Sequence, residues 1–229
     1  MRQLLTERLP QQYGISKQID LPEKLYTGQF SLSDSSACIS CKAKFTDRAD
    51  CDEQVMYIKG TNLHVVDFET YVKQFENTAL RIKQHCDYML YDVNEKGRAI
   101  AFCDLTCSAE EHVEPNSSDS YPLGKRFKAF EQMKNSLELL LEVDLLNVQI
   151  LTCQQKLALF GWREKEANVK AKDKAEESMT EFGITPASTA PIIYTYTLVM
   201  GHGFIFVQVK HPNVFEWDKQ YCADVLEHW

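Results

Sequence analysis

The sequence predicts an α/β fold, with a mixed central sheet flanked by helices; an α+β fold is the alternative. Two strand-like runs form a hairpin over residues 86–107, helical patterns lie before and after it, and two apolar runs near the C-terminus form a second hairpin. Segments in this order are typical of layered folds in which helices cover a sheet. The 229 residues, 44% of them hydrophobic, are enough for one domain of ordinary size.

The first half of the chain predicts an N-terminal extension over residues 1–53 and, from residue 54 to 229, a single domain. Residues 1–53 are polar and poorly periodic, which is typical of loops. Next we expect two strands around a turn at Gly60, a helix that begins after Asp67 as its N-cap, and the two strands of the hairpin. Their predicted bounds are Gln54–Lys59, Leu63–Val66, Phe68–Gln84, Cys86–Val93 and Ala99–Cys107.

The second half predicts a helix on the sheet, a buried strand, a charged stretch and a late hairpin. The charged stretch, residues 164–190, is predicted to form a helix and a linker. Gly201-His202-Gly203 is predicted to form the tip of the late hairpin. The other predicted elements are the helix Lys125–Glu142, the strand Asn147–Cys153, the hairpin strands Pro191–Met200 and Phe204–Lys210, and a closing helix Val214–Trp229.

Two aspartates mark one end of the first hairpin. Asp87 begins the first strand and Asp104 lies near the end of the second. Strand alternation puts Asp87 on the face of Met89, and Asp104 on the face of Phe102 and Thr106. Antiparallel pairing then brings the two carboxylates side by side. This is costly unless a cation lies between them, and a divalent metal ion is the usual one.

The run DYMLYDVNEKGRAIAFCDLTCS, within residues 64–152, resembles the PD-(D/E)xK nuclease superfamily. Asp87 takes the first acidic position and Asp104 the second, but Thr106 stands where the superfamily has lysine. The run is also similar to the cap-snatching endonucleases, which take the lysine from the following helix. The resemblance implies a restriction-endonuclease-like core that binds Mg²⁺ or Mn²⁺. It implies Asp87, Asp104 and Glu76 (or Glu69) as metal ligands, the Leu105 carbonyl and His64 as further ligands, and Lys134 as the catalytic cation.

The three cysteines of the extension suggest a second metal site. Cys38 and Cys41 form a C-x2-C pair with Cys51 ten positions on, which is the common half of a structural zinc site. His64 or Cys86 would have to supply the fourth ligand. Unligated thiols are the alternative, since the N-terminus lacks the apolar core of a signal peptide and disulfides are rare in the cytoplasm, where we expect this protein.

The sequence thus predicts a metal-dependent nuclease, a hydrolase of DNA or RNA phosphodiesters in a defence or mobile-element system with a protein partner. Thr106 and the net charge of −8 favour an alternative, a catalytically inactive nuclease-fold subunit that binds or scaffolds. A zinc-knuckle interaction protein is the third hypothesis. Ordinary structural roles also stay open. The aspartates can serve in turns and caps, and Glu69 and Glu76 can form a solvated helix flank. Lys134 can extend its ammonium group to solvent or pair with a buried acid. The sequence contains no phosphate-binding glycine loop, nucleophile elbow or dinucleotide fingerprint, and no apolar run approaches the ~20 residues of a membrane span.

Overall fold

The computed structural model describes residues 1–33, 45–46, 54–75, 84–92, 99–108, 112–113, 124–164, 192–194 and 201–219; for 45–46, 54 and 192–194 it describes the backbone alone. Over these ranges the chain forms a nine-stranded mixed sheet with helices packed against it. The predicted α/β class is therefore confirmed. None of the described helices has the length and apolar character needed to cross a membrane.

Helices and strands follow one another in an order close to the predicted one. Helix α1 has a π-helical part, Leu4–Arg8, and an α-helical part, Leu9–Gln12; it is followed by α2 (Phe68–Lys73), α3 (Gly124–Leu141) and α4 (Asp144–Leu151). The strands are β1 (Glu23–Ser33), β2 (Phe45–Thr46), β3 (Gln54–Asp67), β4 (Tyr88–Asp92), β5 (Ala99–Cys107), β6 (Gln155–Arg163), β7 (Ile192–Tyr194), β8 (Ile205–Lys210) and β9 (Val214–Glu216).

The sheet has an antiparallel half and a parallel half. Its strand order is β2-β1-β3-β4-β5-β6-β8-β7, in which β1, β3, β4 and β5 pair antiparallel. Strand β6 pairs parallel with both β5 and β8, and β7 pairs antiparallel with β8, as the predicted late hairpin requires. Helices α3 and α4 form the crossover between β5 and β6.

The sheet also curls on itself, because β9 follows β8 along the chain and pairs parallel with β3. The two faces of the sheet carry separate apolar cores. Helices cover the first face, which includes Phe102, Phe160 and Phe206. The curl encloses the second face, where Met56 of β3 approaches Gly161 of β6. Strands buried on both faces are nearly continuously apolar, as β5 and β6 are.

Residues 1–33, which the sequence placed in an N-terminal extension, contribute to the same sheet and core. Strand β1 pairs with β3 from Glu23–Val66 to Ser33–Gln54. Leu5, Leu9 and Ile19 are buried in the helix-covered core. Cys38, Cys41 and Cys51 lie outside the described residues, and so does the stretch 165–190, so the zinc site and the charged helix stay predictions.

The predicted strand Asn147–Cys153 is wrong, because helix α4 covers Asp144–Leu151. Leu146 and Ile150 are buried one turn apart, while Leu145 and Val148 are more than half exposed. This is the pattern of a helix with one face on the core. A short apolar run does not distinguish a buried strand from a helix, and the strand follows instead as β6.

Three other bounds differ from the prediction. A single strand, β3, replaces the two that were expected around Gly60. Helix α2 ends at Lys73 and a turn follows to Phe75, beyond which residues 76–83 are not described; its N-cap is confirmed, because Asp67 Oδ1 accepts from the Thr70 N–H at 2.9 Å. The expected closing helix begins instead with strand β9, since Val214–Glu216 pairs with β3.

Candidate functional site

The two aspartates of the hairpin lie opposite one another. Strands β4 and β5 pair Tyr88 with Cys103 and Met89 with Phe102. Asp87 directly precedes β4, and extending this register by one residue puts it across from Asp104. The contact between the strands continues there, because the Leu105 N–H donates to Asp87 Oδ2 at 2.8 Å. The structure therefore brings together the acid pair, Asp87 and Asp104.

The acid pair belongs to the helix-covered face of the sheet. Asp104 is 6% exposed and Asp87 is half-buried. Two thiols lie close by: burial raises the pKa of Cys86 and Cys103, and the negative charges of Asp87 and Asp104 raise both further. These thiols are therefore protonated at neutral pH, which makes them poor nucleophiles and poor ligands.

Helices α2 and α3 fix the backbone that carries Asp87. The Asp87 carbonyl accepts from the N–H groups of Phe68 and Glu69 at 2.9 and 3.3 Å, so it caps the start of α2. Side chains of α3 hold the three residues before Asp87. Ser136 Oγ accepts from the Cys86 N–H at 2.9 Å, Gln132 donates to the His85 carbonyl at 3.0 Å, and Asn135 donates to the Gln84 carbonyl at 3.0 Å.

Lys134 lies on a different flank of α3 from the residues that hold this segment. At ~100° per residue it is about 160° around the helix from both Gln132 and Ser136. It is half-buried. The described contacts do not bring Lys134 to the acid pair, and its catalytic role stays a prediction.

The structure shows no third side-chain ligand at the acid pair in the described part of the chain. Glu76 lies outside it. Glu69 forms an exposed ion pair with Lys73, with 2.8 Å between Oε1 and Nζ. Over the described ranges no group of three or more histidine, cysteine or acidic side chains is arranged to hold a metal ion. A complete centre would need Glu76, backbone oxygens such as the Leu105 carbonyl, or water beside the two aspartates.

His64, the candidate ligand that precedes α2, is engaged elsewhere. Its Nδ1 lies 3.0 Å from Glu23 Oε1, and its ring stacks on Tyr91 with the centroids 4.8 Å apart. The Tyr91 hydroxyl also donates to Glu23, and Arg2 pairs with the second carboxylate oxygen at 2.7 Å. We call Arg2, Glu23, His64 and Tyr91 the Glu23 network. Since Tyr91 is four residues from Asp87, the network lies about 13 Å from the acid pair along β4.

Sequence reasoning missed two polar residues on the same face as the acid pair. Strand pairing aligns Asp104 with Phe160 and then Gln208, and Thr106 with Trp162 and then Lys210. Gln208 is 5% exposed, and its Oε1 makes no hydrogen bond within the described chain. The Lys210 ammonium lies 4.6 Å from the centroid of the Trp162 ring. Gln208 and Lys210 lie in a strand whose other residues are apolar. Their position relative to the acid pair follows only from the pairing of β6 with β8.

Comparison of the chain with protein-family models, curated proteins and solved structures finds no match. The function is therefore inferred from the chemistry and placement of the acid pair and the residues around it.

Proposed function

We propose that the chain is a metal-dependent nuclease that binds Mg²⁺ or Mn²⁺ at the acid pair. The observation that carries this proposal is the contact of the Asp87 side chain with the strand of Asp104, where Asp87 Oδ2 accepts from the Leu105 N–H at 2.8 Å, together with the almost complete burial of Asp104. Two carboxylates on neighbouring positions of paired strands repel each other, and burial strengthens the repulsion. A divalent cation between them relieves it.

The donor set fits a hard cation. Carboxylate oxygens are the ligands that Mg²⁺ and Mn²⁺ prefer, and Mg²⁺ commonly binds one or two carboxylates together with substrate phosphate. When bound, such an ion polarises a phosphodiester and makes a coordinated water more acidic. The chain's own contribution is to hold the Asp87 carboxylate through the Leu105 N–H and the side chains of α3, and to carry Asp104 on β5, which is paired with β4.

The order of the strands also supports a nuclease of the PD-(D/E)xK type. Strands β3, β4 and β5 form an antiparallel meander, α3 and α4 cross over, and β6 returns parallel to β5. A nucleic-acid substrate, a protein partner in a defence system and a cytoplasmic location remain parts of the proposal.

Thermal melting with EDTA, Mg²⁺ or Mn²⁺ tests the metal site. An ion at ~100 times its dissociation constant adds about 2.7 kcal/mol to the stability, which is several degrees at this size. We expect that rise in the wild type and its loss in Asp104→Asn. The matched control is Asp144→Asn, which removes an exposed carboxylate from α4 and should keep the rise. An equal rise in Asp104→Asn and the wild type, or none in the wild type, would contradict the proposal.

Cleavage assays distinguish the active enzyme from an inactive relative. Thr106, 9% exposed and on the face of Asp104, stands where a lysine would be expected, and this favours a nuclease-fold subunit that binds without cutting. If Mn²⁺ stabilises the wild type but single- and double-stranded DNA and RNA all stay intact, the binding subunit is the better conclusion. Mn²⁺-dependent cleavage that is lost in Asp104→Asn supports the enzyme.

A further inference from the structure

We propose that Gln208 and Lys210 of β8 form the nucleotide-binding half of the site. In this proposal, which rests on the proposed function, Lys210 contacts a backbone phosphate of the nucleic-acid strand. Gln208 accepts a hydrogen bond from a sugar hydroxyl or base amino group of the same strand.

The first support is the position of the two residues relative to the acid pair. In parallel pairing, aligned residues point to the same side of the sheet, so Asp104 and Gln208 share the helix-covered face, as do Thr106 and Lys210. One strand, β6, lies between β5 and β8, so about 10 Å separates the aligned backbones. That span fits a nucleotide unit with its neighbouring phosphate.

The second support is the unsatisfied amide oxygen of Gln208. The residue is 5% exposed, yet its Oε1 has no hydrogen-bond partner within the described chain. A buried acceptor without a donor costs free energy, and native proteins keep few of them. Its neighbours along the strand, Phe206 and Val207, are buried and apolar, so packing alone would favour another apolar residue here. A bound ligand that donates a hydrogen bond to Oε1 would explain why a glutamine occupies this position.

The third support is the way in which Lys210 is held. Its ammonium lies over the Trp162 ring, on the side of β8 that faces the acid pair. Trp162 is itself fixed, because it is 3% exposed and its Nε1 donates to the Ser108 carbonyl at 3.0 Å. A cation–π contact of this kind orients an ammonium group without neutralising it, so the charge stays available to a phosphate.

The outer residues of the proposed site, just before β4 and at the end of β8, are more exposed than the residues between them. Asp87 and Lys210 are half-exposed, whereas Asp104, Thr106 and Gln208 are buried. A strand that entered across the sheet would meet a cation at β8 and a carboxylate-bound metal at β4 and β5. In this arrangement Lys210, rather than Lys134 of α3, supplies the positive side chain.

Binding of a fluorescein-labelled single-stranded oligonucleotide in Ca²⁺, followed by anisotropy, tests the role of Lys210. We expect Lys210→Met to raise the dissociation constant about tenfold or more. The plot of log affinity against log salt concentration should become less steep, by about the contribution of one phosphate contact. The matched control is Lys24→Met, because Lys24 also lies over a ring, 4.7 Å from the centroid of Tyr26, but on β1; it should change neither quantity. Unchanged affinity and slope in Lys210→Met would overturn the proposal.

Gln208→Met provides a second, independent variant. It replaces the unsatisfied amide with an apolar group of similar length, so we expect an equal or higher melting temperature together with oligonucleotide binding several-fold weaker. Binding as tight as that of the wild type would refute the role of Gln208. The Mn²⁺-dependent rise in melting should persist in both β8 variants. No such rise in the wild type means that the proposed function has failed, whereas a normal rise without oligonucleotide binding means that this inference alone has failed.

Discussion

At the scale of single residues, Glu23 is a side chain on which three polar contacts converge. Its side chain is 4% exposed and contacts Arg2, His64 and Tyr91, which come from the N-terminal segment, β3 and β4. Burial raises the pKa of Tyr91, and its hydrogen bond to the Glu23 carboxylate raises it further. The phenol therefore stays protonated and remains a donor. The Glu23 network thus ties residues before β1 to the sheet with charge-assisted bonds.

We predict that Glu23→Gln lowers the free energy of unfolding by about 1–3 kcal/mol, because it removes a buried charge while the Tyr91 hydroxyl, His64 and Arg2 remain around it. Urea denaturation followed by circular dichroism measures the change. Glu69→Gln is the control, since its ion pair with Lys73 is exposed and should be worth less than about 0.5 kcal/mol. Equal effects of the two substitutions would show that the Glu23 network does not stabilise the fold.

At the scale of elements, β5, β6 and the first half of β3 pack closely against one another. A Cβ atom at Gly161 would lie 2.5 Å from Leu105 Cδ2 and 3.1 Å from Met56 Cβ. A glycine is therefore needed where β3 crosses the curled face of the sheet. The position of β6, which pairs with the strand that carries Asp104, therefore depends on this contact.

We predict that Gly161→Ala destabilises the fold by about 1–3 kcal/mol through overpacking. In a Leu105→Ala background the clash with Leu105 disappears, so the cost of Gly161→Ala should fall by at least ~1 kcal/mol. A double-mutant cycle from denaturant melts measures this coupling. If the two substitutions are additive, the predicted steric contact between β5 and β6 is wrong.

At the scale of elements, part of the fold and of the candidate site could be predicted from the sequence. The acid pair was predictable because strand alternation and a short turn fix which residues of a hairpin meet, and Asp67 was predictable as a cap from its residue type. Helix α4 was missed because its run is short, and apolar residues at such spacing fit a buried strand as well as a helix. Gln208 and Lys210 were missed because their neighbours on β6 are some 50 residues away in sequence, and no local pattern encodes parallel pairing over that distance. Strand β1 was missed because its antiparallel partners on β3 lie 21 to 43 residues away, which is also beyond the reach of a local pattern.

At the scale of the whole molecule, the curl of the sheet is closed where β9 meets β3 and β4. The Trp217 N–H donates to the Lys59 carbonyl at 2.8 Å, and Trp217 Nε1 donates to Asp92 Oδ2 at 2.9 Å. Trp217 also covers Gly60, where a Cβ atom would approach within 2.8 Å. The C-terminal part of the described chain thus fastens the parallel half of the sheet to the antiparallel half.

His211 lies at this closure, directly between β8 and β9. Its ring stacks on Tyr57 of β3, with centroids 5.2 Å apart. Its backbone N–H donates to the Trp162 carbonyl at 2.8 Å. Nδ1 is buried without a hydrogen-bond partner in the described chain. Burial lowers the pKa of His211 below its ordinary value of 6.5, and the positive charge of Arg163 lowers it further. The folded protein therefore disfavours a proton that the unfolded chain accepts.

The sign of the pH dependence follows from this difference. Above about pH 6.5 the ring is neutral in both states; as the pH falls below that value, the unfolded chain binds the proton first and stability is lost. We predict that His211→Phe, which keeps an aromatic ring against Tyr57, loses less melting temperature than the wild type from about pH 7.5 to about pH 5.5. The control His202→Asn removes an exposed histidine of the late hairpin and should follow the wild type. If His211→Phe loses as much as the wild type, the acid sensitivity of the fold arises away from the closure of the sheet.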